Sequence, residues 1–171
     1  MRICVIGASG AGKSTFASQL SKQTGIECFA LDELFWDNSN GHYNTRRDPR
    51  ERGRLLHDLL QKENWIMEGV QYAWVGDAFE QAEQIYLLDP PAWLCRVRIV
   101  RRYFARKLLK NGRSKENLRS LLALLRWTKH FYRKNLPEIR TMLNQYPAKV
   151  TVIKSKKEAS DALTKSAHPC S

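Results

Sequence analysis

Residues Gly7 to Ser14 read GASGAGKS and follow the apolar run Ile3-Cys4-Val5-Ile6 without a break. The G-x-x-x-x-G-K-[ST] spacing therefore falls where a strand hands over to a helix. Glycines at 7, 10 and 12 let the chain turn its N–H groups inward, and the first turn of the next helix adds its positive dipole end. Such a nest takes a chain of phosphates. Gly7, Ala8, Ser9, Gly10, Ala11, Gly12, Lys13, Ser14 and Thr15 are expected to hold a nucleotide polyphosphate. Lys13 should reach its β- and γ-phosphates and the Ser14 hydroxyl should coordinate Mg²⁺.

The chain has 171 residues, which predicts one domain able to bury a core of its own. Cys4, Cys28, Cys95 and Cys170 lack C-x-x-C or Cys/His ligand spacing, so reduced structural thiols are expected rather than zinc or a disulfide framework. Only four apolar residues separate Arg2 from Gly7, and no run approaches the roughly 20 apolar residues of a membrane span. The sequence thus predicts a cytoplasmic protein without a membrane partner. Its net charge of +12 is concentrated: between Arg96 and Arg140 stand fifteen Lys/Arg against Glu116 and Glu138. Such a segment is a solvated helical face, a set of arginines that closes over phosphates, or a surface attractive to nucleic acid.

Along the chain, a helix from the loop to about Gln23 stops at Thr24-Gly25, and a strand is expected from Glu27 to Leu31. Asp37 to Gly41 reads as loop. Asp48-Pro49 opens a helix that buries Leu55, Leu56, Leu59 and Leu60. Trp65 to Glu68 reads as a strand, Tyr72 to Ala82 as a short helix, and Gln84 to Asp89 as a strand stopped by Pro90-Pro91. A helix from Ala92 to Lys110 puts Trp93, Val97, Val100, Phe104 and Leu108 on one face and Arg98, Arg102, Arg106 and Lys110 on another. After Asn111-Gly112, a helix from about Ser114 carries Leu118, Leu121, Leu122, Leu125 and Tyr132 until Pro137 bends or ends it. Val150 to Ile153 is the last strand, and Ser155 with Glu158 forms a capping box for a terminal helix near Lys156 to Thr164. Alternating strands and helices predict a parallel sheet covered on both faces.

This ordered series resembles P-loop kinases of the nucleoside-monophosphate-kinase type, and more closely the adenylate-kinase-related DNA topology modulation proteins. The marks are GASGAGKST, then LDELFW (31–36), WIMEGVQY (65–72), IYLLDPP (85–91), R-V-R-x-x-x-R-R from Arg96 and KSKKE (154–158). Relatives usually read W-I-[IV]-D-G-N-Y at the third mark, where this chain has Glu68 and Val70-Gln71. The resemblance implies a three-layer α/β P-loop NTPase fold: a five-stranded parallel sheet flanked by helices, an acceptor-binding insertion at about 33–64, and a helical Arg-rich lid at about 96–140. It further implies that Asp32 serves the acceptor, as proton acceptor for a hydroxyl or by orienting metal-bound water for a phosphate. A helix N-cap is the other reading of Asp32.

Glu68 closes an apolar strand before Gly69. An unpaired carboxylate there is costly, so it is a second acid for Mg²⁺ or its waters. Asp89 is balanced between a functional acid and a helix cap. Arg98, Arg101 and Arg102 match the arginine-bearing helix that leads into such a lid, with Arg98 and Arg102 the catalytic candidates and Arg106 or Arg113 further ones. Arg46, Arg47 and Arg50 suit an acceptor's anionic group or solvent equally. Trp36, Tyr43, Tyr72 and Trp74 read as packing or as a stacking platform. His42, His57, His130 and His168 pair with no nucleophile. The resemblance places adenine against the backbone of Lys154, Ser155 and Lys156 and under a lid arginine. No N-K-x-D occurs, which leaves ATP as donor. The expectation is an ATP- and Mg²⁺-dependent phosphotransferase acting on a nucleotide or another small acceptor. The alternatives are a nucleotide-gated DNA- or RNA-binding regulator using the basic 96–140 surface, and an ATPase without acceptor.

Overall fold

The computed structural model describes residues 1–37, 45–109 and 118–167. In chain order the elements are β1 (Arg2–Gly7), α1 (Lys13–Thr24), β2 (Cys28–Ala30), α2 (Leu31–Phe35), β3 (Trp36–Asp37), β4 (Thr45–Arg46), α3 (Pro49–Leu60), β5 (Trp65–Gly69), α4 (Gly76–Gln81), β6 (Gln84–Leu88), α5 (Ala92–Leu109), α6 (Leu118–His130), a π-helical turn (Phe131–Asn135), α7 (Leu136–Leu143), β7 (Val150–Ile153) and α8 (Lys156–Ala167).

Five strands form one parallel sheet in the order β2-β5-β1-β6-β7, and β3 and β4 pair antiparallel as a separate ribbon. The expected α/β P-loop fold, a parallel five-stranded sheet flanked by helices, is present. Strand β1 lies at its centre, with Val5 opposite Glu68 on one side and Tyr86 on the other. Ile3, Val5, Trp65, Ile66 and Ile85 are completely buried, as a sheet covered on both faces requires. Helices α1 and α8 pack against each other, and α1 also packs on β5. Gly25 ends α1 in the left-handed region (φ 71°), its N–H donating to Ser21 O at 2.8 Å. Asp48 caps α3 by accepting from the N–H groups of Arg50 and Glu51, with Pro49 at the first helical position.

Four local expectations change. Strand β2 stops at Ala30, and Leu31, expected as its last residue, instead opens α2, because it turns inward onto the end of β5. The helix expected from Tyr72 shrinks to α4, since Trp74 and Val75 pack into the core as loop. On α5 the buried side is Cys95, Ile99 and Tyr103, while the expected core face of Trp93, Val97, Phe104 and Leu108 is exposed. Both stripes have helical spacing, so periodicity alone cannot choose between them. Finally, the helix expected to run to Pro137 stops at His130, and Pro137 stands in the first turn of a new helix. The chain passes from α6 to α7 through the π-helical turn, which widens the backbone just where proline lacks its N–H. The Asn111-Gly112 interruption, the start of the helix near Ser114, part of the 37–41 loop and the tail from His168 lie outside the described residues.

Candidate functional site

The phosphate-binding loop sits between the carboxyl end of β1 and the start of α1, at the sheet edge where ligands of open α/β folds gather. Gly10 adopts φ 79°, and a Cβ there would lie 2.6 Å from Cys95 O and 3.1 Å from Ile99 Cγ1. That close approach seats the Cys95–Ile99 side of α5 directly on the loop and so selects the face that turns inward. Lys13 is buried and its Nζ donates to Ala8 O at 3.1 Å. Burial pushes its pKa down, while the negative charges of Glu68 and Asp32 oppose that shift. A buried cation thus lies in the field of both acids singled out from the sequence.

Ser14 Oγ donates to Glu68 Oε1 at 2.7 Å. Pairing of β1 with β5 sets this contact, since Ile6 stands opposite Gly69 and Val5 opposite Glu68. A hydroxyl and a carboxylate oxygen side by side form a hard donor pair that fits Mg²⁺. Among the described residues no cluster of three or more His, Cys, Asp or Glu could hold a metal. The protein's share of a Mg²⁺ shell would therefore be small, leaving waters and phosphate oxygens to complete it, as that ion prefers. Asp32 occupies the first turn of α2 and is exposed. A Cβ at Gly69 would meet Leu31 Cβ at 2.7 Å, so the missing side chain lets α2 settle directly on the end of β5. Asp32 and Glu68 thereby share one edge of the sheet.

Arg98 donates through Nη1 to Gly10 O (3.2 Å) and Ala11 O (2.9 Å), docking its guanidinium on the loop backbone. It also lines a cavity of about 490 Å³ bounded by Gly12, Thr15, Leu94 and Lys154 to Lys156. The size suits a small ligand's ring system. The capping box shapes its floor: Lys154 N–H donates to Glu158 Oε2 at 2.8 Å, Ser155 Oγ to Oε1 at 2.9 Å, and Glu158 N–H to Ser155 Oγ at 3.2 Å. These bonds hold the Glu158 carboxyl below its usual pKa. Lys154 N–H is engaged there and Ser155 O accepts from Ala159 N–H at 3.1 Å, so the capping box occupies part of the backbone that lines the cavity. Arg101 and Arg102 lie one turn beyond Arg98 and are exposed, as is Arg106; Arg113 lies outside the described residues.

On the acceptor side the arginines divide. Arg47 is a structural clamp, donating to Leu34 O (3.1 Å), Trp36 O (3.4 Å) and Glu51 Oε1 (2.7 Å). Arg50 is exposed, and Arg46 lies 5.8 Å from the centre of the Phe35 ring. Arg52, which sequence reasoning passed over, is sandwiched between Phe35 (4.9 Å) and Trp74 (4.7 Å). No sequence signal marks that arrangement, because the two rings come from α2 and from the loop after β5. Trp36 packs edge-on against Phe35, and Tyr43 lies outside the described residues. Tyr72 OH donates to Glu138 Oε2 at 2.6 Å and accepts from Asn135 Nδ2 at 3.2 Å; burial and then the Glu138 carboxylate push its pKa up, and the Asn135 bond opposes that shift. Asp89 caps nothing; it pairs with Arg140. Tyr132 OH donates to Pro90 O, so four hydrogen bonds tie the π-helical turn and α7 to Tyr72, Asp89 and Pro90 in the loops after β5 and β6. His57 and His130 are exposed, and His42 and His168 lie outside the described residues.

A family model described as AAA domain matches residues 3–119. The uncharacterized protein YqaC of Bacillus subtilis is 28% identical over 124 residues, which cover 70% of this chain and 68% of that protein. An adenylate kinase of Streptomyces avermitilis is 32% identical over 91 residues, 52% of this chain and 38% of that enzyme, so the match spans well under half of the kinase. A shikimate kinase from Acinetobacter baumannii, solved in complex with shikimate, superposes with a TM-score of 0.56 at 18% identity, covering 98% of this chain and 90% of the other. At that identity the likeness carries the fold alone.

Proposed function

The chain belongs to the AAA domain family of P-loop proteins and has a P-loop kinase-like fold; from that premise we propose that it is an ATP- and Mg²⁺-dependent phosphotransferase of the nucleoside monophosphate kinase type. Its acceptor is a nucleotide or another small molecule. The observation that carries this reading is the convergence at one sheet edge of buried Lys13, the Ser14–Glu68 pair and Asp32, beside a cavity of about 490 Å³. A loop that only bound nucleotide would have no need of the second acid on α2.

In this reading Gly7 to Thr15 wrap the phosphates of ATP, and the cavity takes the base with Arg98 at its wall. Ser14 and Glu68 would hold Mg²⁺, which supplies neutralisation of phosphoryl oxygens. Lys13, Arg98 and Arg102 stabilise charge spread over the equatorial oxygens of the transferring group. Asp32 accepts the proton of a hydroxyl acceptor, or positions a water beside a phosphate acceptor. Arg52, held flat by its two rings, is the cation best placed to meet an acceptor's anionic group, because Arg47 spends its donors inside the fold. The whole chain acts as one domain, with 33–64 on the acceptor side and 96–140 as lid.

The test measures ATP consumption alone and with a panel of nucleoside monophosphates, sugars and hydroxy acids. Stimulation by one class identifies the acceptor, and Lys13→Ala should lower that stimulated rate by at least about 10²-fold without loss of fold. Consumption equal with and without every panel member would leave an ATPase instead. Unchanged turnover in Lys13→Ala would place the chemistry elsewhere.

A further inference from the structure

Helices α5 and α6 turn large apolar side chains to solvent. Trp93 (65% exposed), Val97, Phe104 and Leu108 (79%) follow one another along the outer side of α5, over about 22 Å of helix. Leu118 and Leu122 do the same on α6. Between the helices, Ile99, Tyr103 and Leu121 form a buried seam, against which Val100 and Leu125 are half-buried. By helical spacing Val100 belongs to the edge of the first stripe and Leu125 to the edge of the second, so the stripes meet across the seam. Exposed cations border this face: Arg96, Arg101 and Lys107 beside the stripe of α5, Arg119 and Arg126 beside that of α6.

We propose that this face docks on an anionic lipid surface. Helices with an apolar stripe containing Trp, Phe and Leu and with Lys/Arg along its borders lie in the plane of a bilayer interface, where burial of the stripe and attraction to acidic headgroups add. Charge complementarity decides among occupants. The exposed Arg96, Arg101, Lys107, Arg119 and Arg126 that border the face would make two copies of this chain repel one another across it. A nucleic acid would satisfy the cations, but four of the six outward apolar residues are aliphatic and offer bases no ring to stack on. No described helix is long and apolar enough to cross a membrane, so the contact is peripheral. It leaves the opposite side of α5, where Cys95 and Ile99 meet the phosphate-binding loop, free to work.

The experiment is co-sedimentation of the full chain with phosphatidylcholine vesicles, with or without about 30 mol % phosphatidylserine, at low and high ionic strength. Binding is expected only to the anionic vesicles and should fall at least about tenfold in high salt. Phe104→Glu/Leu108→Glu should reduce it by a similar factor while circular dichroism and the thermal midpoint stay those of wild type. Leu118→Glu/Leu122→Glu on α6 gives an independent reading should the first pair misfold. The proposal is overturned by absence of vesicle binding at low salt, or by equal binding to neutral vesicles. It is equally overturned if, with vesicles unbound, the same variants abolish binding of a single-stranded oligonucleotide or a concentration-dependent dimer.

Discussion

At Gly69 a single missing side chain decides where an acid stands. Any Cβ there would press on Leu31 Cβ at 2.7 Å, with Leu31 Cδ1 and Cγ at 3.1 and 3.2 Å. Gly69→Ala must therefore push α2 off the end of β5, and Asp32 moves with it. The expected cost is about 1–3 kcal/mol in denaturant unfolding, as for other overpacked contacts. Activity should fall further than stability, because acceptor chemistry tolerates little displacement. A variant as active and as stable as wild type would show that α2 has slack. Gly69 and Glu68 were both visible in the sequence as the end of an apolar strand. What the sequence could not display is that Leu31, 38 positions earlier, needs the vacancy.

Among the elements, α8 is the one whose start is written most plainly, and it sets the floor of the cavity. Glu158 accepts from Lys154 N–H and Ser155 Oγ, which holds its carboxyl below the usual value of 4.5. A carboxylate depressed in the folded state contributes stability that is fully present above the unfolded pKa and is lost as pH falls through the folded one. Wild type should thus lose thermal stability as pH drops below about 4.5, and Glu158→Gln, which cannot titrate, should show a flatter acid limb with a lower plateau at neutral pH. Parallel acid limbs for the two proteins would assign the pH response to other carboxylates. The box was legible because its partners are three residues apart. The course of α5 was legible as well, but its buried face was not, since its sequence offers two apolar stripes and only the loop at Gly10 and the seam with α6 select the one to bury.

For the molecule as a whole, the proposed nucleotide cleft joins distant parts: the loop after β1, Arg98 from α5 and Lys154 to Lys156 at the start of α8. A ligand gripping all of them stabilises the folded chain by mass action, about 2.7 kcal/mol at a hundred times its Kd. Mg·ATP should therefore raise Tm by about 5–10 °C in calorimetry, within one transition. Two transitions, with only the first shifted by ATP, would mean that the acceptor side and the cleft fold separately. Taken alone, the sequence determined the phosphate-binding loop, the order of strands and helices, the parallel sheet and the caps of α3 and α8. Those features depend on residues within a turn or two of one another, so their geometry is carried by local spacing. The tertiary structure decided which face of α5 is buried, the helical course of 31–35, the clamp made by Arg47, the Arg52 sandwich and the ties from the π-helical turn and α7 to the loops after β5 and β6. Each of these depends on surfaces that meet only after the sheet has assembled, where steric fit and the pairing of buried polar groups choose among arrangements that the pattern of residues leaves equal.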